Sequence, residues 1–253
     1  MPATIAERVA SDLCSMNKQA GSPALLVMAK KPDPGRTKSR LTPPLSAETA
    51  AGLYACFLRD ALDLAQSVPG VTPMIAYAPP EDEHFFREFA PGFRRIPQRG
   101  ETLGERLNYV LTWSLQNGFG PVAAMNSDSP TLPASYLALA FERLAAADTD
   151  VVLGPCEDGG YYLIGWKQPH SLLVRGVRMS TDRVLEDTLA IADAENLRVS
   201  LLPAWYDIDN AGDLLRMQSD LARPSRFGRH TRVYLEKFSD PPAHKQNQGH
   251  KPG

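Results

Sequence analysis

The chain has 253 residues, 43 % hydrophobic and 22 % charged, with a mean hydropathy of −0.27. These values exclude a membrane-embedded protein, a disordered chain and a coiled coil, and they leave enough length for one large α/β core. A formal net charge of −2, from 27 basic and 29 acidic residues, excludes bulk attraction to nucleic acid as the main activity.

Residues 1–22 hold no long apolar run and read as a short amphipathic extension, neither a signal peptide nor a membrane span. Ala24–Ala29 is a short apolar run between turn signals, which predicts a buried parallel strand. A polar segment punctuated by Pro and Gly follows, from Lys30 to Pro44. Ser46 can cap a helix that carries Leu53, Phe57, Ala61 and Leu64 at helical spacing. Val71–Ala78 and Arg94–Pro97 read as strands, with His84 on a charged surface helix between them. Thr102–Leu115 reads as a helix with Leu103, Leu107, Val110, Leu111 and Leu115 on one face. Val122–Met125 is a buried strand ending at Asn126-Ser127-Asp128, and Pro133 opens a helix to about Ala146. Val151–Leu153 and Tyr161–Ile164 are strands. Thr181–Ala192 is a helix, Val199–Leu202 a strand, and Asn210–Leu221 the closing helix. From residue 223 the chain loses periodicity. Seven Lys and Arg against two acids make it a basic, disordered tail, expected to be dispensable for catalysis.

This alternation predicts a mostly parallel sheet with helices on both faces, in a domain spanning residues 23–222. Ligands of such sheets sit beyond the carboxyl ends of the strands. Cys14, Cys56 and Cys156 show neither a C-x-x-C spacing nor an even count, so a disulfide framework or zinc site is not expected and a reducing cytoplasm is.

Five polar segments lie where such a sheet puts its ligand. Lys30, Lys31, Arg36, Lys38 and Arg40 fall within eleven positions after the first strand, on a loop tightened by Pro32, Pro34 and Gly35. Such a loop can offer N–H groups, ammonium groups and guanidinium forks to one phosphate chain; the alternative is a solvated charge run. It is not a Walker A loop. Asp128 stands at a strand end, where one or two carboxylate oxygens can hold Mg²⁺; alternatively it caps a turn before Pro130. Asp207 and Asp209 straddle one residue between a strand and a helix and suit a cation or a shared proton, or else helix capping. Asp158-Gly159-Gly160 is either a hairpin turn or a close approach of backbone to ligand, with Glu157 adding acid. Gln98 to Leu107, including Gly104 and Arg106, is a glycine-containing helix entry that suits base or ribose contacts, or is a plain helix start. No histidine is assigned a catalytic role.

In order, Ala-Lys-x-Pro-x-Pro-Gly-x-x-Lys-x-Arg-Leu, Leu-Gly-Glu-Arg, Ser-Asp-x-Pro, Asp-Gly-Gly-Tyr-Tyr-Leu-Ile-Gly and Asp-Ile-Asp before a helix resemble the glycosyltransferase-A-like rSAM/selenodomain-associated transferases. Wider relatives of that family are the 2-phospho-lactate and molybdenum-cofactor guanylyltransferases. The resemblance covers about residues 23–222 and implies a nucleotide-diphospho-sugar transferase fold. It implies Lys30, Lys38 and Arg40 on nucleotide phosphates; the residues themselves add Gly35 and Arg36 to the phosphate loop and Gln98, Gly104 and Arg106 as base or ribose contacts. It implies Asp128 and Asp209 on Mg²⁺ or Mn²⁺, and Asp158, Gly159 and Gly160 near a small-molecule acceptor. Lys38 and Asp128 are the catalytic candidates. The sequence departs from the family where Asn210-Ala211 and Met179 replace the usual Pro-containing helix start and a Trp.

Two reactions fit. An NTP can give its nucleotidyl group to a small phosphorylated acceptor and release pyrophosphate, or a nucleotide sugar can give up its sugar. The density of positive charge favours the first, because a pyrophosphate leaving group carries more charge. A catalytically idle nucleotide-binding protein is the third reading. Asp128 and Asp209 are expected to share one cation and to repel each other without it, with Asp207 as a supporting or substitute ligand.

Overall fold

The structure, a computed structural model, describes residues 21–223 and 228–239. The expected N-terminal extension up to residue 20, and the tail from residue 240, lie outside the described residues. Ser22, assigned above to the extension, already belongs to the first strand.

Among the described residues seven strands form one sheet in the order β3-β2-β1-β4-β6-β5-β7. They are β1 (Ser22–Lys30), β2 (Thr72–Ala78), β3 (Arg94–Pro97), β4 (Phe119–Met125), β5 (Val151–Pro155), β6 (Tyr161–Trp166) and β7 (Val199–Leu201). β6 alone runs antiparallel to its neighbours, so the mostly parallel expectation holds. The helices are α1 (Ala47–Gln66), α2 (Glu83–Phe89), α3 (Leu103–Gln116), α4 (Ala134–Ala145), α5 (Leu172–Arg175), α6 (Val184–Ala194), α7 (Ala211–Leu221) and α8 (Arg229–Ser239). No helix among the described residues is long and apolar enough to cross a membrane.

Strand alternation sorts the core into two layers. Leu25 and Val27 of β1 pack with Leu58 and Leu62 of α1, Phe86 of α2 and Leu137 and Phe141 of α4. Ala24 and Leu26 face the other way, toward Leu107, Val110 and Leu111 of α3 and Leu173 and Val174 of α5. Burial on both faces is why β1 reads as a continuous apolar run rather than an alternating one. Local signals mark the helix starts. Ser46 accepts the Thr49 amide at 3.1 Å, and Thr102 with Glu105 forms a complete capping box.

Two expectations need correction. The helix expected from Thr181 starts at Val184, because Ser180 is left-handed (φ 66°) and the first-turn amide of Leu185 donates to Gly159 O at 2.9 Å. Within the tail expected to be disordered, residues 229–239 form α8, which lies against α1. Its stability comes from that docking. The Tyr234 hydroxyl rests against Gly52, where any side chain would collide with it, and donates to Thr49 O at 3.2 Å.

Candidate active site

β1 pairs with β2 on one side and β4 on the other, so the chain order reverses between β1 and β4. In open α/β sheets a crevice opens beyond the carboxyl ends of the strands at such a point. A hollow of about 430 Å³ lies there, lined by Met28 to Lys30 at the end of β1 and Asn126 to Asp128 after β4. A second hollow of about 510 Å³ shares Lys30, Arg36, Gln98 and Arg106 with it and adds Pro79, Arg99 and Gly100. Each falls in the usual size range of a small-ligand site.

The loop after β1 is folded by its own backbone. Asp33 O accepts the amides of Arg36 and Thr37, both at 3.0 Å, and Gly35 takes a positive φ of 76° to close the turn. Lys38 follows in the left-handed region, after which Ser39–Leu41 forms a 3₁₀ turn pinned by buried Leu41. The loop thereby turns Lys38 inward and leaves Arg36 and Arg40 open to solvent, with side chains 83 % and 81 % exposed.

Lys38 is the centre of the site. Its ammonium lies 2.8 Å from Asp128 Oδ1 and 2.9 Å from Asp209 Oδ1. Burial favours the neutral amine, yet the Asp128 and Asp209 charges outweigh burial and raise the pKa above the ordinary lysine value. The two carboxylates therefore converge on one point, although β7 lies three places from β4 in the sheet and residues 202–209 must cross back to reach it, and that point holds the chain's own cation. Asp128 is brought there by the loop after β4, whose main-chain carbonyl accepts the Ile208 amide at 3.0 Å. Asp209 is set by the start of α7. Asp213 accepts the amides of Asp209 and Asn210 at 2.9 and 3.0 Å, and Asn210 caps Gly212 and Asp213 in return. The capping box forms without a proline in the first turn.

Asp207 does not point at Lys38. Its Oδ1 accepts from Ser129 Oγ (2.7 Å), Asn126 Nδ2 (2.8 Å) and Cys156 Sγ (3.3 Å). Burial first, and the Asp128 charge second, push its carboxyl up to about 6. It braces the Asn126–Ser129 loop from behind.

Lys30, Arg36, Lys38, Arg40, Gln98, Arg106, Asp128 and Asp209 all line the first hollow. Gln98 is buried, with its amide nitrogen donating to Ala76 O at 2.7 Å, and Arg106 Nε donates to Gly100 O at 2.9 Å. Gly35 shapes the turn but lines neither hollow. Gly104 lines neither hollow. It lies against the Val174 carbonyl, which a β-carbon would strike, so α3 and α5 can approach. Asp158, Gly159 and Gly160 form the β5–β6 hairpin turn, where Asp158 Oδ1 accepts the Gly160 amide at 2.9 Å. A β-carbon on Gly159 would meet the Asp182 carbonyl, and the turn lines neither hollow.

Tyr54 is a site residue that sequence reasoning missed. From α1 its hydroxyl accepts the Lys30 amide at 3.2 Å and bonds Ser127 Oγ at 3.0 Å, tying the ends of β1 and β4 together. Burial and the nearby Asp128 charge push that phenol up to about 12. Its only sequence signal was helical periodicity, which it shares with core residues. Elsewhere, Asp60, Asp63 and His230 approach one another closely enough to hold an ion. Both oxygens of Asp60 are already used, however, in accepting N–H and O–H groups at the start of α8.

The profile of the bacterial family DUF2064, described as an uncharacterized protein conserved in bacteria, matches residues 61–181. A candidate nucleotide-diphospho-sugar transferase from Desulfovibrio desulfuricans G20 superposes with a TM-score of 0.78 at 29 % identity, over 85 % of this chain and 94 % of that one. The chain has the nucleotide-diphospho-sugar transferase fold. The same fold appears at 11 % identity and TM-score 0.54 in the 4-diphosphocytidyl-2C-methyl-D-erythritol synthase of Anaerococcus prevotii, over 80 % of this chain and 97 % of that one. It also appears in a CMP:2-keto-3-deoxy-manno-octonic acid synthetase complexed with CTP, at 12 % identity and TM-score 0.52, over 79 % and 98 %. Among curated proteins none matches.

Proposed function

We propose that the protein is a divalent-metal-dependent nucleotidyltransferase, which moves a nucleotidyl group from an NTP to a small phosphorylated acceptor and releases pyrophosphate. The observation that carries this reading is the hollow at the β1/β4 reversal, where Lys30, Arg36, Lys38 and Arg40 face two convergent carboxylates. Lys30, Arg36, Lys38 and Arg40 would hold the phosphate chain, with Gly35 closing their loop. Gln98 and Arg106 would face the base or ribose. Asp158, Gly159 and Gly160, on the β5–β6 turn outside both hollows, would meet an acceptor that extends beyond them. Asp128 and Asp209 suit Mg²⁺ or Mn²⁺, because two carboxylates reaching one point leave the remaining coordination positions to water and phosphate. The bound ion would neutralise charge on the leaving phosphate chain. The free thiols of Cys56 and Cys156 suit a reducing cytoplasm.

Sugar transfer from a nucleotide sugar is the second reading, favoured by the description of the Desulfovibrio relative. Thermal shift with the four NTPs and the common nucleotide sugars, with Mg²⁺, separates the two. Ligand at one hundred times its Kd adds about 2.7 kcal/mol of stability. Stabilisation by one NTP, followed by pyrophosphate release with phosphorylated acceptors, supports nucleotidyl transfer. Stabilisation by a nucleotide sugar alone overturns it.

A further inference from the structure

Lys38 stands where a divalent ion would have to stand. Its ammonium touches one oxygen of each carboxylate, its side chain is 7 % exposed, and its backbone is held in the left-handed region (φ 51°, ψ 36°). A non-glycine residue keeps that conformation only where its surroundings over-determine it. An ammonium and a divalent ion cannot share the same two oxygens. Metal–oxygen distances of about 2.0–2.2 Å would press the two cations together, at a steep Coulomb cost.

We propose that Lys38 is a resident counter-cation of the Asp128–Asp209 pair: it holds the two carboxylates before ligand arrives, and a divalent ion displaces it toward the nucleotide phosphates. The second step rests on the nucleotidyl reading above; the first does not. The hollow gives the flexible lysine stem room to swing, and Arg40, 4.0 Å from the other Asp209 oxygen, remains beside the pair. Metal alone must then eject Lys38 without giving it a new partner, whereas nucleotide phosphates supply one. Metal and nucleotide therefore bind cooperatively, and each raises the affinity of the other by the same factor.

The test is Mn²⁺ binding to the full chain without nucleotide, by electron paramagnetic resonance of free Mn²⁺ and by the Mn²⁺-induced change in Tm. Lys38→Met and Lys38→Gln should each bind Mn²⁺ at least about tenfold tighter than the wild type, a difference of about 1.4 kcal/mol. Both should gain more in Tm from Mn²⁺, and Asp128→Asn in the Lys38→Met background should abolish the gain. Lys31→Ala, which removes an exposed charge paired with Asp82, should leave Mn²⁺ affinity unchanged. Equal or weaker Mn²⁺ binding in both Lys38 variants overturns the proposal, as does a gain that survives Asp128→Asn or is matched by Lys31→Ala. Failure of both Lys38 variants to fold even with Mn²⁺ present also overturns it, since the ion could not then take the place of the ammonium. If Mn²⁺ behaves as expected but no NTP binds the wild type, the exchange stands and the nucleotidyl reading falls.

Discussion

Asp60, buried within α1, caps a helix that begins far along the chain: its Oδ2 accepts the Thr231 amide at 2.9 Å and the Thr231 hydroxyl at 2.6 Å. Its Oδ1 takes the His230 amide at 2.9 Å, so two of the free N–H groups of the first turn of α8 are satisfied from another element. Asp60→Ala removes a cap and charged hydrogen bonds together and should cost about 2 kcal/mol. That corresponds to a fall in Tm of roughly 4–8 °C for a domain of this size. A chain ending at residue 227 should fall at least as far by scanning calorimetry. An unchanged Tm in both would show that α8 contributes nothing to the fold.

The Asp128–Lys38–Asp209 arrangement reverses a stability prediction. Two facing carboxylates would repel, and removing one would then stabilise the protein without metal. With Lys38 between them, Asp128→Asn instead leaves a buried ammonium with one charged partner. Partly exposed carboxylates discount the cost of breaking a buried pair, so a loss of about 1–2 kcal/mol is expected. Urea unfolding without divalent ions checks the sign; a stabilised Asp128→Asn would mean that repulsion dominates after all.

Gly104 and Arg40 should separate packing from binding. Gly104→Ala drives a β-carbon into the Val174 carbonyl and should cost about 1–3 kcal/mol of stability while leaving nucleotide affinity within twofold in the folded fraction. Arg40→Ala, at an exposed position, should change stability by less than about 0.5 kcal/mol and weaken nucleotide binding by about 1–2 kcal/mol. That loss should shrink at high salt. Calorimetric titration beside thermal unfolding reads both quantities, and a swapped pattern would return Gly104 to the ligand.

Asp207 predicts a pH dependence of definite sign. Its carboxyl is raised to about 6 from an ordinary 3.8 by burial and by Asp128, so between those values the folded chain keeps a proton that the unfolded chain has released. Stability from this group is complete below about pH 4 and is lost as pH rises through about 6, by at most about 3 kcal/mol. Asp207→Asn keeps the shape and cannot titrate. The stability difference between wild type and variant should therefore move against the wild type from pH 4 to pH 7. A flat difference across that range would mean that Asp207 is ionised throughout.

The sequence by itself determined the elements whose signals are local. The apolar run of β1, the Thr102 capping box, the Asn210 cap and the Pro/Gly-braced basic loop each rest on neighbours within a few residues. Their spacing therefore carries the information. That Asp128 and Asp209 each follow a strand was legible as well, but β7 lies three places from β4, and the path of residues 202–209 rather than the sheet brings the two together. Only the tertiary structure decided what occupies the space between them. The Lys38 ammonium meets Asp209 across 171 positions, and Asn126 meets Asp207 across 81, with no periodicity to announce either contact. Tyr54 was missed and α8 was misread for the same reason. A hydroxyl on a core helix and a polar amphipathic segment take their meaning from a partner distant in sequence, and in this chain that partner is brought within reach only by the assembled sheet and the helices laid across it.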